Sequence, residues 1–171
     1  VTRWVIERAI RQAGEWARAG RDLAISANVS TRDLMGPDLV GLVTEALARH
    51  GTAADRLCLE ITERALMDDT DITRSVLEQL KRLGVRVQID DFGTGYSSLA
   101  YLSQFALDGL KIDRSFVQRI RETHKEREIV RSIVALARAT GLAVVAEGVE
   151  TAGQAETLVE LGCREAQGFY Y

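Results

Sequence analysis

Residues 85–98 read Val85-Arg86-Val87-Gln88-Ile89-Asp90-Asp91-Phe92-Gly93-Thr94-Gly95-Tyr96-Ser97-Ser98. The first six residues predict a strand that ends on two adjacent carboxylates. A glycine-containing loop follows, and a short helix is expected over 97–104. Working outward, the same unit recurs. Strands are expected over Leu23–Asn28, Arg56–Ile61, Gly109–Ile112, Leu142–Ala146 and Cys163–Ala166. Between them the sequence predicts helices over Val1–Arg18, Asp38–His50, Thr70–Leu83 and Ala152–Leu161, with a longer helix inside Phe116–Thr140. Gly36-Pro37 opens the second of these, with proline near the first turn where its missing N–H costs nothing. Gly84 and Gly141 stand where C-terminal caps belong. On the first helix Trp4, Val5, Ala9, Ile10, Ala13 and Trp16 share a face.

Regular strand–helix alternation argues for a parallel sheet with helices packed outside it. The segments LAISAN, LCLEIT and LAVVAE are largely apolar with a polar end, as in strands buried on both sides. A closed eight-stranded α/β barrel takes about 250 residues. Six strands in 171 residues, opening on a helix and stopping inside a strand, predict an incomplete barrel, cut at both ends. With no low-complexity stretch or Gly/Ser linker, residues 1–171 read as one domain.

Apolar residues make up 46% and charged residues 27%, the balance of an ordinary globular protein. No apolar run reaches the ~18 residues of a membrane span. A net charge of -3 argues against a duplex DNA or RNA binder, which shows a basic face. A mildly acidic protein still binds an anionic nucleotide where metal ions supply positive charge. Cys58 and Cys163 are far apart and read as buried free thiols. His50 and His124 lack neighbouring ligands in sequence and read as surface residues. The charged run Arg119–Arg131 reads as the wet face of a helix.

Nearly every predicted strand ends on a residue able to hold a metal: Asn28, Glu60 with Glu63, Asp90 and Asp91, Lys111 with Asp113, Glu147, and Gln167. In α/β barrels that edge is where ligands bind. A lone carboxylate there is most often a solvated loop residue, and Asp90-Asp91 alone could be a turn. Repetition along one edge is what solvation does not predict. Carboxylates gathered in one place need a counter-charge, and hard oxygen donors favour Mg, Mn or Ca over zinc. The loop Phe92–Ser98 could wrap a phosphate with backbone N–H groups, or be a plain turn.

Taken together these motifs resemble the EAL phosphodiesterase family. The matching stretches are Asn28-Val29-Ser30, Leu59-Glu60-Ile61-Thr62-Glu63, Ile89–Leu99, Leu110-Lys111-Ile112-Asp113, Ala146-Glu147-Gly148-Val149-Glu150-Thr151 and Gln167-Gly168-Phe169. The resemblance implies a modified TIM-type (β/α)8 barrel whose first strand runs against the others. It implies cleavage of one phosphodiester of cyclic di-GMP, giving linear pGpG, with two Mg or Mn ions. Asn28, Glu60 and Asp90 would hold one ion, Asp90 would bridge to the second beside Asp91, and Glu147 would complete the site. Lys111 would hold or deprotonate the attacking water and Gln167 would help orient it. Glu63 would tether the Phe92–Ser98 loop, and Phe92, Gly93 and Asp113 would contact substrate.

The resemblance further implies a homodimer, with GGDEF or sensor domains in the parent chain. It implies a cytoplasmic location, including as the cytoplasmic part of a membrane-bound sensor. The name-giving Glu-Ala-Leu strand would precede Val1, the Phe-Ser-Arg/Lys-Pro tail would follow Tyr171, and Ala106 stands where proline is frequent. Residues 1–171 alone are therefore expected to be inactive. The alternatives are an inactive EAL domain that senses cyclic di-GMP or docks a protein, and an enolase-like barrel. Such receptors usually lose metal ligands, and enolase chemistry does not call for the Asp90-Asp91 pair.

Overall fold

The computed structural model describes residues 1–36, 38–67, 70–95, 102 and 104–171. Pro37 and most of the helix expected over 97–104 lie outside them. Six strands, β1 (Ile25–Val29), β2 (Leu57–Thr62), β3 (Arg86–Phe92), β4 (Gly109–Ile112), β5 (Ala143–Ala146) and β6 (Glu165–Ala166), follow chain order in the sheet. The chain divides into two compact units, Val1–Gln88 with Gln104–Leu107, and Ile89–Ser103 with Asp108–Tyr171.

In the first unit β1 and β2 pair in parallel, Asn28 against Glu60 and Val29 against Ile61. All of β2 except Thr62 is buried, which explains its near-continuous apolar run. Helix α1 (Thr2–Arg18) packs on α3 (Leu39–His50) and β1. Its buried face is Ile6, Ala9, Ile10, Ala13 and Gly14, spaced one and two turns apart. This corrects the expected face: Trp4 is 70% exposed, and Ile6 takes the inward place. Gly14 admits α3's end closely, because a Cβ there would overlap Thr52 Oγ1, which donates to Ile10 O at 3.0 Å. His50 is half-buried rather than on the surface, its Nε2 3.8 Å from Glu7 Oε1. Short helices α2 (Thr31–Leu34) and α4 (Glu63–Met67) add to the expected set, and α5 (Thr70–Leu83) ends at Gly84.

In the second unit β5 pairs in parallel with β4 on one side and β6 on the other. Every residue of β4 is buried. A short helix, α6 (Arg114–Gln118), precedes α7 (His124–Thr140), the longer helix expected inside 116–140. Thr123 breaks the run by capping α7, its hydroxyl accepting from the Glu126 N–H. The charged run is accordingly not all wet: Arg119 reaches across the break to Glu126 at 3.4 Å, and Glu126 is 8% exposed. Helix α8 (Ala152–Glu160) starts in a reciprocal capping box between Thr151 and Gln154. Cys58 and Cys163 are both buried and neither forms a disulfide, and burial pushes the Cys163 thiol up to about 11.

Helix α7 stops at Gly141, whose φ of 73° lies in the left-handed region. A Cβ there would meet no atom within 4 Å, so substitution adds backbone strain alone. Gly141→Ala should lower stability by about 1 kcal/mol in urea unfolding. Gly141→Asn should cost less, because asparagine tolerates that conformation.

Candidate metal centre

Lys111 sits inside β4 and is 4% exposed, so its ammonium must be paired to remain charged. Its Nζ lies 3.1 Å from Asp90 Oδ1 and also ion-pairs with Glu147 Oε1. Gln167 Nε2 donates to the same Glu147 oxygen at 2.7 Å. The elements impose this arrangement. Asp90 stands near the end of β3, Glu147 directly follows β5, and Gln167 directly follows β6. The Glu147 N–H donates to Ile112 O at 3.1 Å, and the Gln167 N–H donates to Ala146 O at 2.8 Å. These bonds extend the strand pairing by one step and fix where both side chains begin.

Asp91 is the one non-glycine residue with positive φ among the described residues, at 51°. Aspartate is among the few side chains that tolerate this region. The turn is pinned: Thr94 Oγ1 donates to Asp91 O at 2.9 Å, and a Cβ on Gly93 would stand 3.0 Å from the Phe116 ring. Burial, then repulsion from Asp90, then a hydrogen bond with Asp113 hold the Asp91 carboxyl above the usual carboxylate range. Burial acts on Asp113 too, but hydrogen bonds from Ser115 and Asp91 outweigh it and hold Asp113 below that range.

Asp90, Asp91 and Glu147 each offer a carboxylate oxygen within 4.8 Å of the others. Three carboxylates face one ammonium. Asp90 Oδ1 is buried and meets Lys111 without the alignment of a hydrogen bond. An all-oxygen donor set with surplus negative charge fits a hard divalent cation such as Mg or Mn.

The second unit thus brings together Asp90, Asp91, Lys111, Glu147 and Gln167. Asp113 lies beside them as the N-cap of α6, accepting from the Ser115 N–H at 3.0 Å and from its hydroxyl. Phe92 is 3% exposed, so its side chain is a packing residue and any ligand contact falls to its backbone. Of the loop Phe92–Ser98, residues 96–98 lie outside the described set. In the first unit, Asn28 and Glu60 are register partners on β1 and β2, Asn28 exposed and Glu60 buried, and Glu63 begins α4 at 5% exposure. Arg114 and Gln118, which share a groove with Glu147, Gln167, Gly168 and Phe169, were not singled out by sequence. Only a pattern spanning β5, β6 and α6 would have found them.

The family model for the EAL domain matches residues 1–171. The chain belongs to the EAL family. It is 45% identical over 167 residues to the bifunctional diguanylate cyclase/cyclic di-GMP phosphodiesterase MucR of Pseudomonas aeruginosa, a match covering 97% of this chain and 24% of MucR. It matches the solved PaMucR phosphodiesterase in complex with c-di-GMP at a TM-score of 0.94 and 45% identity, over 98% of this chain and 68% of that one. Against BlrP1 of Klebsiella pneumoniae, solved with manganese and c-di-GMP, the TM-score is 0.87 at 34% identity, over 96% of this chain and 42% of that one. The α/β, TIM-like barrel class expected from sequence is therefore that of this EAL domain. The chain spans about a quarter of the length of the curated relatives it matches. Among the described residues no helix is long and apolar enough to cross a membrane.

Removing the ammonium leaves buried carboxylates facing one another. In EDTA, Lys111→Ala should destabilise the EAL domain of the full-length protein by about 3 kcal/mol in thermal unfolding. Manganese should restore part of the loss. An unchanged transition would contradict the buried pairing.

Proposed function

We propose that the full-length protein hydrolyses cyclic di-GMP to linear pGpG, using two Mg or Mn ions. The observation that carries this reading is the Lys111 ammonium held between Asp90 and Glu147, with Asp91 completing the carboxylate set. The c-di-GMP complex of PaMucR and the manganese complex of BlrP1 support it from relatives at 45% and 34% identity.

Asp90, Asp91 and Glu147 would hold the ions, and Asn28 and Glu60 are proposed as further ligands. Bound divalent cations supply Lewis acidity and counter-charge for in-line displacement at phosphorus. Lys111 has the chemistry of a water-positioning group, because an ammonium offers three donors and two carboxylates fix its direction. The water oxygen forms a bond to phosphorus and gives up a proton, the P–O3′ bond breaks, and the 3′ oxygen takes up a proton and leaves as a hydroxyl. Gln167 donates to Glu147 and keeps that carboxylate from rotating away. Asp113 orients Asp91 through their shared hydrogen bond.

The full-length protein, given cyclic di-GMP and manganese, should yield pGpG by chromatography. Asp90→Asn should abolish turnover, and activity kept within about tenfold, some 1.4 kcal/mol of barrier, would contradict the metal assignment. Lys111→Ala should lower kcat far more than it raises KM. Binding without any turnover by the native protein would assign it instead as a receptor.

A further inference from the structure

We propose that Gly168 is a positioning residue for this centre: its missing side chain lets the backbone after β6 lie against Val149, and that contact sets Gln167 on Glu147. The inference rests on the phosphodiesterase reading above and deepens it.

The loops after β5 and β6 are sewn together by three backbone hydrogen bonds. Gln167 N–H donates to Ala146 O at 2.8 Å, Val149 N–H donates to Gln167 O at 3.1 Å, and Tyr170 N–H donates to Val149 O at 3.0 Å. Both main-chain polar groups of Gln167 are therefore spent on the segment that carries Glu147. Gly168 stands at the closest approach. A Cβ on it would overlap the Val149 nitrogen and oxygen and lie 2.8 Å from the Val149 carbonyl carbon. These are backbone atoms, which cannot swing aside as the tip of a side chain can.

Val149 has little room to retreat. Its side chain is fully buried, and a Cβ on Gly148 would already stand 2.6 Å from Arg114 Cβ. The strain of a side chain at residue 168 therefore falls on the Gln167 side of the seam. It would lengthen the Gln167 O to Val149 N bond and draw the carboxamide off Glu147. Glu147 would lose its neutral donor, which changes what it offers a cation.

The test compares Gly168→Ala, Gln167→Ala and the double variant in the full-length protein. Readouts are kcat, KM and Mn2+ affinity, the last by electron paramagnetic resonance without substrate. Gly168→Ala should lower kcat by about tenfold or more, with KM within about threefold, and should weaken Mn2+ binding. Its effect should not multiply with that of Gln167→Ala, so the double variant should fall within about twofold of Gln167→Ala alone. Independent, multiplying losses, or native kcat and Mn2+ affinity in Gly168→Ala, would overturn the proposal. The metal arm judges it even if the native protein does not hydrolyse cyclic di-GMP, which separates its failure from that of the proposed function. Should Gly168→Ala not fold, amide exchange in the native protein decides. The Val149 and Gln167 amides should be protected by about a hundredfold or more, and unprotected exchange at either would overturn the seam.

Discussion

The buried ammonium of Lys111 is the interaction on which the site's arrangement depends. A cation taken out of water is costly unless opposite charges meet it with good geometry. Here one strand brings the cation, and the ends of two others bring Asp90 and Glu147. None of the three could occupy its place alone. Two carboxylates this close repel each other, and an unpaired ammonium inside β4 would be left without its compensating charge. The pairing is also incomplete, because Asp91 adds a third carboxylate beside one ammonium. The second unit thus holds a surplus of negative charge at a strand edge, a state that a divalent cation relieves.

Backbone constraints decide how that surplus is presented. Asp91 leaves the strand direction at a left-handed residue, and the turn is held by Thr94 and packed against Phe116. Its carboxyl meets Asp113, which starts α6 by accepting from Ser115. One carboxylate therefore joins a helix start to the Asp91 turn. On the opposite flank the seam between Val149 and Gln167 performs the corresponding task for Glu147. The centre is fixed from both sides by main-chain hydrogen bonds rather than by side-chain contacts alone.

The parts of this arrangement that follow from short-range pattern were legible in the sequence. Apolar runs with polar ends located the six strands, and glycines at 84 and 141 marked helix ends. The carboxylates at 90, 91 and 147 and the lysine at 111 were visible as a repetition along one edge. What escaped depends on tertiary packing. Trp4 and Ile6 are both apolar but stand two residues, roughly 200° of helical rotation, apart, and Ile6 is the one in phase with Ala9, Ile10 and Ala13 on the face that meets β1 and α3. The short helix α6 ahead of α7 was not expected, and Thr123, whose hydroxyl caps α7, marks where the longer helix starts. Asp113 looked like a ligand because of its place after β4, whereas its hydrogen bonds also make it a helix cap. The seam at Gly168 involves residues nineteen apart with no periodic signature, so nothing local announced it.

The cluster at the ends of β3 and β5 is proposed as a cation site built around Lys111 of β4. Diffraction from manganese-soaked crystals of the full-length protein, collected at the manganese absorption edge, tests it most directly. An anomalous peak ligated by carboxylate oxygens of Asp90, Asp91 and Glu147 is expected, with Lys111 in place beside it. Manganese bound elsewhere, with those three carboxylates free of metal, would contradict it.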